Sequence, residues 1–444
     1  MWWKAVKLGA RVDRVDLASA LRAPRTRYVP TSCVGRGGMA EVWQGEAITE
    51  RGDRYPVAIK RVLPELSEHP VFCSMFEDEA RIGMLLNHPN IVRVVDSRRT
   101  GEALILIMEL VDGPSLHAIL RAAQPHARGM PVALALYVVQ QIARALDYIH
   151  HACDARGRCL SIVHKDVSPQ NVLLSRRGDV KLLDFGLSQA DSHRTAHVDG
   201  YVGGKYGYLA PEVLLGKPVG PSVDVFAAGV ILWEALAGRR LFRVADDQQT
   251  ARNVLECKVP PLCQVTGHMS DQVSERTEGS AFARAPHTPR APHIPRWVDH
   301  LLARLLARDP LDRVASAHDL VAELDYCLRR YCDPVGAADV ALLATMHMAK
   351  QQPCRYAPAE VIAKLQSDLE SFRRPAQDLA ARPDAVRHHA TVRVNDSVDG
   401  AASVRESGVH VRAEFNPAIG SPSASESRGD TLETEVEARY RVVG

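Results

Sequence analysis

The spacing of hydrophobic positions changes character along the chain. From residue 28 to residue 62, apolar and polar positions alternate among many β-formers, with Gly-rich and Gly-Asp turns at 35–38 and 52–53. That pattern predicts three strands. Val71 to Asn87 follows a helical period, and His88-Pro89-Asn90 ends it, because the residue before a proline is pushed out of the helical region. Ile91–Asp96 and Ala103–Glu109 return to a strand pattern. After Gly113-Pro114 the period becomes helical again: Leu134, Val138, Ile142, Ala145 and Ile149 recur at three- and four-residue steps and mark one buried face. Further helices are predicted at 222–237, 246–257, 296–307, 316–331, 336–349 and 358–372. The expected architecture is α+β and two-lobed. A small N-terminal lobe of five strands and one helix covers 27–111, and a mainly helical lobe covers 112–332.

Outside these periods the chain reads differently. Residues 1–26 are expected to form a leader, with no apolar signal core. Residues 258–295 are rich in Pro, His, Ser and Arg without periodicity, and predict an irregular insertion between helices. Residues 333–374 form a helical extension, and 375–444 are polar enough to predict a disordered tail. Hydrophobic residues make up 46% and charged residues 24%, a globular mix, and the net charge of +2 gives no electrostatic case for nucleic acid. The longest apolar run noted, Leu104 to Val111, is too short to span a bilayer. The nine cysteines are scattered without a Cys-x-x-Cys spacing, which favours buried thiols in a reducing cytosol over a disulfide or metal framework.

Three short segments then fit one reaction. Val57-Ala58-Ile59-Lys60 places Ala58 and Lys60 on one face of a strand, so that if Ala58 lies over an adenine, Lys60 lies further along the same nucleotide, over its phosphates. His164-Lys165-Asp166 supplies a carboxylate to receive a hydroxyl proton, with Asn171 five residues after Asp166. Asp184-Phe185-Gly186 supplies a second carboxylate. Val172–Ser175 and Val180–Leu183 flank a turn at Arg176-Arg177-Gly178-Asp179, and such a hairpin brings Asn171 and Asp184 side by side as hard oxygen ligands for Mg²⁺. A glycine-rich stretch, Gly35-Arg36-Gly37-Gly38-Met39-Ala40-Glu41-Val42, precedes them, and Ala210-Pro211-Glu212 follows.

In this order the motifs resemble the signature set of a bacterial protein kinase of the eukaryotic Ser/Thr type, over roughly Arg27 to Tyr331. The resemblance implies a two-lobed kinase domain at 27–332, using ATP and Mg²⁺ to phosphorylate protein substrates. It implies catalytic roles for Asp166, Lys60, Lys165 and Glu79. Glu79 is preferred to Glu77 because it stands nine residues before His88. Nucleotide contacts are implied for Val34, Gly35, Arg36, Gly37, Gly38, Val42, Ala58, Met108, Glu109, Val111 and Leu173. Asn171 and Asp184 are the implied metal ligands. Glu212, Arg313 and Asp224 are implied structural residues, with Glu212 paired to Arg313 and Asp224 capping the catalytic loop.

Some positions depart from the family. Ala40 stands for the third glycine, Lys165 for an arginine, Ser168 for a lysine that touches the γ-phosphate, and Lys205 for a threonine of the activation segment. Between Asp184 and Glu212, Ser188, Ser192, Thr195, Tyr201, Tyr206 and Tyr208 are candidate phosphosites. The expected activity is transfer of the ATP γ-phosphate to Ser/Thr hydroxyls in the cytoplasm, with no membrane span. Two rival readings share part of the pattern: a pseudokinase-like scaffold and a small-molecule phosphotransferase. Intact Lys60, Asp166, Asn171 and Asp184 speak against the first, and an activation segment closing on Ala-Pro-Glu speaks against the second.

Overall fold

The computed structural model of the protein describes residues 26–67, 69–100, 103–126, 129–154, 156–183, 206–267, 294–349 and 359–370. Residues 1–25 of the leader, residues 268–293 of the insertion and the 375–444 tail lie outside these. The first lobe is one antiparallel sheet with the order β1-β2-β3-β5-β4. Its strands are β1 Arg27–Arg36, β2 Ala40–Ile48, β3 Arg54–Val62, β4 Val94–Thr100 and β5 Ala103–Glu109. Alternation along the strands sorts the side chains onto two faces. Ala58, Val62, Leu104, Leu106 and Met108 meet Phe72, Cys73, Phe76 and Ala80 of helix α1, Pro70–Leu85. Val57, Ile59, Ile105 and Ile107 point the other way and pack with Tyr28, Trp43, Ala47 and Val95. Both faces of β3 and β5 are therefore buried, which explains their dense runs of β-branched and long aliphatic residues.

Strand β4 begins at Val94 rather than at the expected Ile91. Residues 90–92 instead pair with the second lobe: Val92 N–H donates to Leu182 O at 2.9 Å and Leu182 N–H to Asn90 O at 2.8 Å. The segment after the His88-Pro89 stop thus links the lobes.

The helical lobe is organised around α3, Val132–His150, which follows α2, Leu116–Ala123. Leu134, Val138, Ile142, Ala145 and Ile149 are all buried in its core. Among the described residues, α3 alone is long and apolar enough to cross a membrane. This corrects the expectation that Leu104–Val111 is the longest apolar stretch. The apolar residues of α3 face α4, Ser222–Ala237, and α7, Ala317–Tyr331, so they are the core of the lobe. Helix α4 is buried from Val223 to Ala237 and stops at Gly238, whose φ of 66° is a left-handed cap. Helices α5, Asp247–Glu256, and α6, Arg296–Leu305, complete the lobe. At the start of the expected irregular insertion, residues 258–267 are built in. A short helix spans Leu262–Gly267, Leu262 is buried, and Trp233 Nε1–H donates to Pro260 O at 3.0 Å.

The extension is divided between the lobes. Helix α8, Ala337–Ala349, buries Val340 and Ala344 in the helical core. Helix α9, Ala359–Glu370, covers the outer face of the N-terminal sheet and packs chiefly on β1. Leu365 and Leu369 are buried there among Tyr28, Trp43, Val57 and Ile105. The sheet therefore has a helix on each face, and the second one comes from sequence placed beyond the expected domain end at 332.

The cysteines are not uniformly buried, which corrects the expectation for them. Cys73 and Cys327 are buried, Cys33, Cys257 and Cys332 are half-buried, and Cys153 and Cys159 are exposed. The last two sit on a surface hairpin between α3 and the catalytic loop, where no core demands an apolar side chain.

Leu365→Ala should lower stability by about 2–5 kcal/mol, the usual cost of a cavity at a fully buried leucine. Urea unfolding of the full chain measures it. A change under about 0.5 kcal/mol would mean that α9 does not dock on the sheet. Ending the chain after residue 374 should leave stability unchanged, whereas ending it after 332 should expose the outer face and cause aggregation.

Candidate active site

Lys60 lies on β3, facing α1. Its Nζ is 2.7 Å from Glu79 Oε1, and the two side chains are 12% and 16% exposed. A lysine so enclosed needs a carboxylate partner, and the sheet-facing side of α1 supplies it. Glu77, two residues earlier, instead pairs with Arg99 at 2.6 Å on the surface. Below Lys60, half-buried Val42, Leu110, Val111 and Leu183 pack against Ala58 and Met108, with Leu173 half-buried on β6, Val172–Leu174. Flat apolar walls of this kind suit a purine ring.

The glycine-rich turn joins β1 to β2, with Gly37 N–H donating to Ala40 O at 2.8 Å. A Cβ at Gly35 would meet nothing within 4 Å, and one at Gly37 only Ala40 O at 3.5 Å. Internal packing does not require glycine here, so the bare backbone matters for what approaches from outside. Val34 is 54% exposed, and Arg36 makes a surface pair with Glu65 at 3.6 Å. The Glu109 carboxylate accepts from Lys181 Nζ at 2.6 Å and from Arg93 N–H at 2.8 Å. It clamps the inter-lobe strand end to β7, Val180–Leu182, so this carboxylate is engaged within the protein. Sequence reasoning passed over Lys181; its signal is the one polar position in Val180-Lys181-Leu182.

The catalytic loop follows α3. Asp224 of α4 is 1% exposed, and its two oxygens accept the N–H groups of His164 and Lys165, each at 2.8 Å. His150, at the end of α3, adds its Nε2 at 2.8 Å. Lys165 has φ +63°, a left-handed conformation that costs a non-glycine residue about 1–2 kcal/mol. Hydrogen bonds to a charged group, worth about 1.5–3 kcal/mol each, are enough to hold it. His164 is fully buried, with Nε2 3.0 Å from Leu183 O and Nδ1 accepting from Asp166 N–H at 3.3 Å. A neutral ring protonated on Nε2 satisfies both contacts. Asn171 Nδ2 donates to Asp166 O at 2.9 Å and to Asp166 Oδ2 at 2.8 Å. With its amide nitrogen so committed, Asn171 offers its amide oxygen to a hard cation. Leu183 N–H donates to Asn171 O at 2.8 Å, which brings the chain back beside Asn171 one residue before Asp184. Asp184 itself, with Thr195, Lys205, Ser188, Ser192 and Tyr201, lies outside the described residues.

A family model described as the protein kinase domain matches residues 28–324. The chain belongs to the protein kinase family. The tyrosine-protein kinase MasK of Myxococcus xanthus is 29% identical over 426 residues, 95% of this chain and 62% of its own. The serine/threonine-protein kinase PknA of Mycobacterium tuberculosis is 36% identical over 241 residues, 53% of this chain and 52% of its own. The serine/threonine-protein kinase PknH of Mycobacterium bovis is 32% identical over 287 residues, 65% of this chain and 41% of its own. The chain thus spans about two fifths to three fifths of the length of these relatives.

The kinase domain closes around two buried polar knots. Arg313 meets Glu212 through both carboxylate oxygens, at 2.6 and 2.8 Å, with both residues buried. Arg313 also donates to Ala307 O at 2.7 Å and lies 4.8 Å from the centre of the Phe226 ring. This arrangement fixes the Ala210-Pro211-Glu212 end of the activation segment to α4. In the second knot, Tyr208 OH donates to Glu234 Oε2 at 2.7 Å, and Arg240 Nη1 is 2.8 Å from the same oxygen. Burial raises the Glu234 pKa, and burial with the nearby Glu234 charge raises that of Tyr208. Tyr208 is 5% exposed with its hydroxyl engaged, so it is removed from the candidate phosphosites. Ser168 is fully buried, and its Oγ has no hydrogen-bond partner among the described residues.

Glu212→Gln leaves the Arg313 guanidinium buried without its counter-charge. It should cost about 3–5 kcal/mol in unfolding free energy. Nucleotide affinity, read by ATP titration, should stay near the parent value, because the pair lies away from Lys60.

Proposed function

We propose that this chain is a protein kinase that transfers the γ-phosphate of ATP to Ser/Thr hydroxyls of protein substrates and of itself, in bacterial cytoplasmic signalling. The observation that carries the reading is the enclosed Lys60–Glu79 pair together with Asp166 held by Asn171. Lys60, oriented by Glu79, would bind the α- and β-phosphates. The main chain of Glu109 and Val111 would receive the adenine between Val42, Ala58, Met108 and Leu173. Asp166 would orient the acceptor hydroxyl and take its proton, its carboxylate steadied by the Asn171 amide. Asn171 and Asp184 would hold Mg²⁺, which would offset the phosphate charge during transfer. Little covalent help is asked of the protein, so the rate depends on positioning and charge neutralisation.

Names of relatives support the acceptor class. PknA and PknH are serine/threonine-protein kinases, at 36% and 32% identity. A second reading, tyrosine as acceptor, draws on MasK, a tyrosine-protein kinase whose match covers 95% of this chain, and on Lys205 at the threonine position. Incubation with labelled ATP, Mg²⁺ and a generic basic protein, followed by phosphoamino-acid analysis, decides. Phosphoserine and phosphothreonine are expected. Phosphotyrosine alone would replace the acceptor assignment, and binding of ATP without transfer would overturn the enzymatic reading.

Asp166→Asn should cut transfer by about 10²–10⁴-fold while leaving ATP affinity nearly intact. Activity within a few-fold of the parent would remove Asp166 from its role. Phosphatase treatment should leave a substantial share of the initial rate. Lys165 can attract an activation-loop phosphate as a point charge, but lacks the paired hydrogen bonds of arginine. A hundredfold loss, measured before autophosphorylation recovers, would show that Lys165 supports a phosphate switch.

A further inference from the structure

Between α3 and the catalytic loop, residues 152–154 and 156–160 form the arms of a small hairpin that carries none of the groups assigned above. Leu160 N–H donates to Ala152 O at 2.8 Å, Asp154 N–H to Arg158 O at 2.9 Å and Gly157 N–H to Asp154 O at 2.9 Å. Gly157, at φ +75°, makes the turn, and the Asp154 carboxylate accepts the Arg156 and Arg158 amides, each at 2.9 Å. The Ala152–Leu160 and Asp154–Arg158 bonds flank Cys153 and Cys159, which therefore face each other as a non-hydrogen-bonded antiparallel pair. In such pairs the Cα atoms lie about 4.5 Å apart, within the range of about 4.4–6.8 Å that a disulfide spans. The two Sγ atoms are 3.6 Å apart. Among the described cysteines, these two are the exposed ones. Cys153 also borders a cavity of about 970 Å³, lined by Arg144, Asp147, Tyr148 and His151 among others, through which a small oxidant can enter.

We propose that Cys153 and Cys159 form a reversible dithiol–disulfide site oxidised by a hydroperoxide. The hydrogen bond from Cys153 to Cys159 pushes the Cys153 thiol pKa up, and the 3.6 Å spacing puts either sulfur within reach of the other. One of the two sulfurs, as its thiolate, attacks a peroxide oxygen, the O–O bond breaks, and hydroxide leaves and picks up a proton to become water. The other sulfur then attacks the resulting sulfenic acid, the S–O bond breaks, and a second water leaves. Two thiols and one hydrogen peroxide give one disulfide and two waters, with two electrons passing from sulfur to peroxide. An exposed bond at this close spacing belongs to the labile class, so a thiol reductant reverses it by exchange. The hairpin ends four residues before His164, so the bond would fix the path of the chain into the catalytic loop.

The test treats the full chain with a small excess of hydrogen peroxide, blocks remaining thiols with iodoacetamide, digests with trypsin and reads masses. The Cys153 and Cys159 peptides should appear joined and lighter by two hydrogens, should lose their alkylation, and should regain it after dithiothreitol. Oxidised Cys159→Ser should show no such link. If both thiols of the parent stay open to alkylation, end separately as sulfinic acids, or join other cysteines equally often, the proposal fails. The readout is mass alone, so it does not depend on kinase activity.

Discussion

One buried carboxylate holds the catalytic loop in place. Asp224 receives the amides of His164 and Lys165 and the imidazole of His150, so it joins the end of α3, the catalytic loop and the start of α4. Without it, the His164 and Lys165 amides would lose a charged acceptor, and Lys165 would lose what holds it at positive φ. Asp166 and Asn171 are placed by continuation of that anchored backbone. The position of the carboxylate is in turn set by α4, whose burial from Val223 to Ala237 leaves the helix little freedom to move.

The N-terminal lobe meets a different constraint, since a twisted five-stranded sheet must hide both faces. Helix α1 covers one and carries Glu79 to Lys60. Helix α9 covers the other with Leu365 and Leu369. Because α9 follows the helical lobe in sequence, the chain that completes the first lobe has already passed through the second. The Asn90–Val92 pairing with Leu182 and the Glu109–Lys181 contact are further ties between the lobes.

The departures from the family acquire physical meaning in this frame. Lys165 keeps its backbone role through Asp224, which depends on amides and not on the side chain, so the fold tolerates lysine for arginine. Ser168 is sealed beneath the loop, with no exposed cation in its place. In the proposed transfer, the γ-phosphate charge would then have to be offset by the remaining cations, or the step would run more slowly.

Much was legible in the chain itself. Period-two and period-3.6 patterns located the five-stranded sheet, α1, α3, α4 and both extension helices, because burial on one face imposes those periods wherever the element lies. Asp166 and Asn171 were readable because their residue types and five-residue spacing match the signature set that the chain resembles. Other features could not be read locally. The sequence predicted a helix at 358–372, but only tertiary packing decided that this helix seals the first lobe. Glu79 over Glu77 was readable from motif spacing, whereas the surface pairing of Glu77 with Arg99 needed the fold. Lys181 with Glu109, His150 with Asp224, and Cys153 opposite Cys159 depend on which groups a folded backbone brings within a few ångströms. Sequence determined the elements and the chemistry they carry, because both are short-range. Tertiary structure decided the partners, because contact between distant residues is set by how whole faces pack.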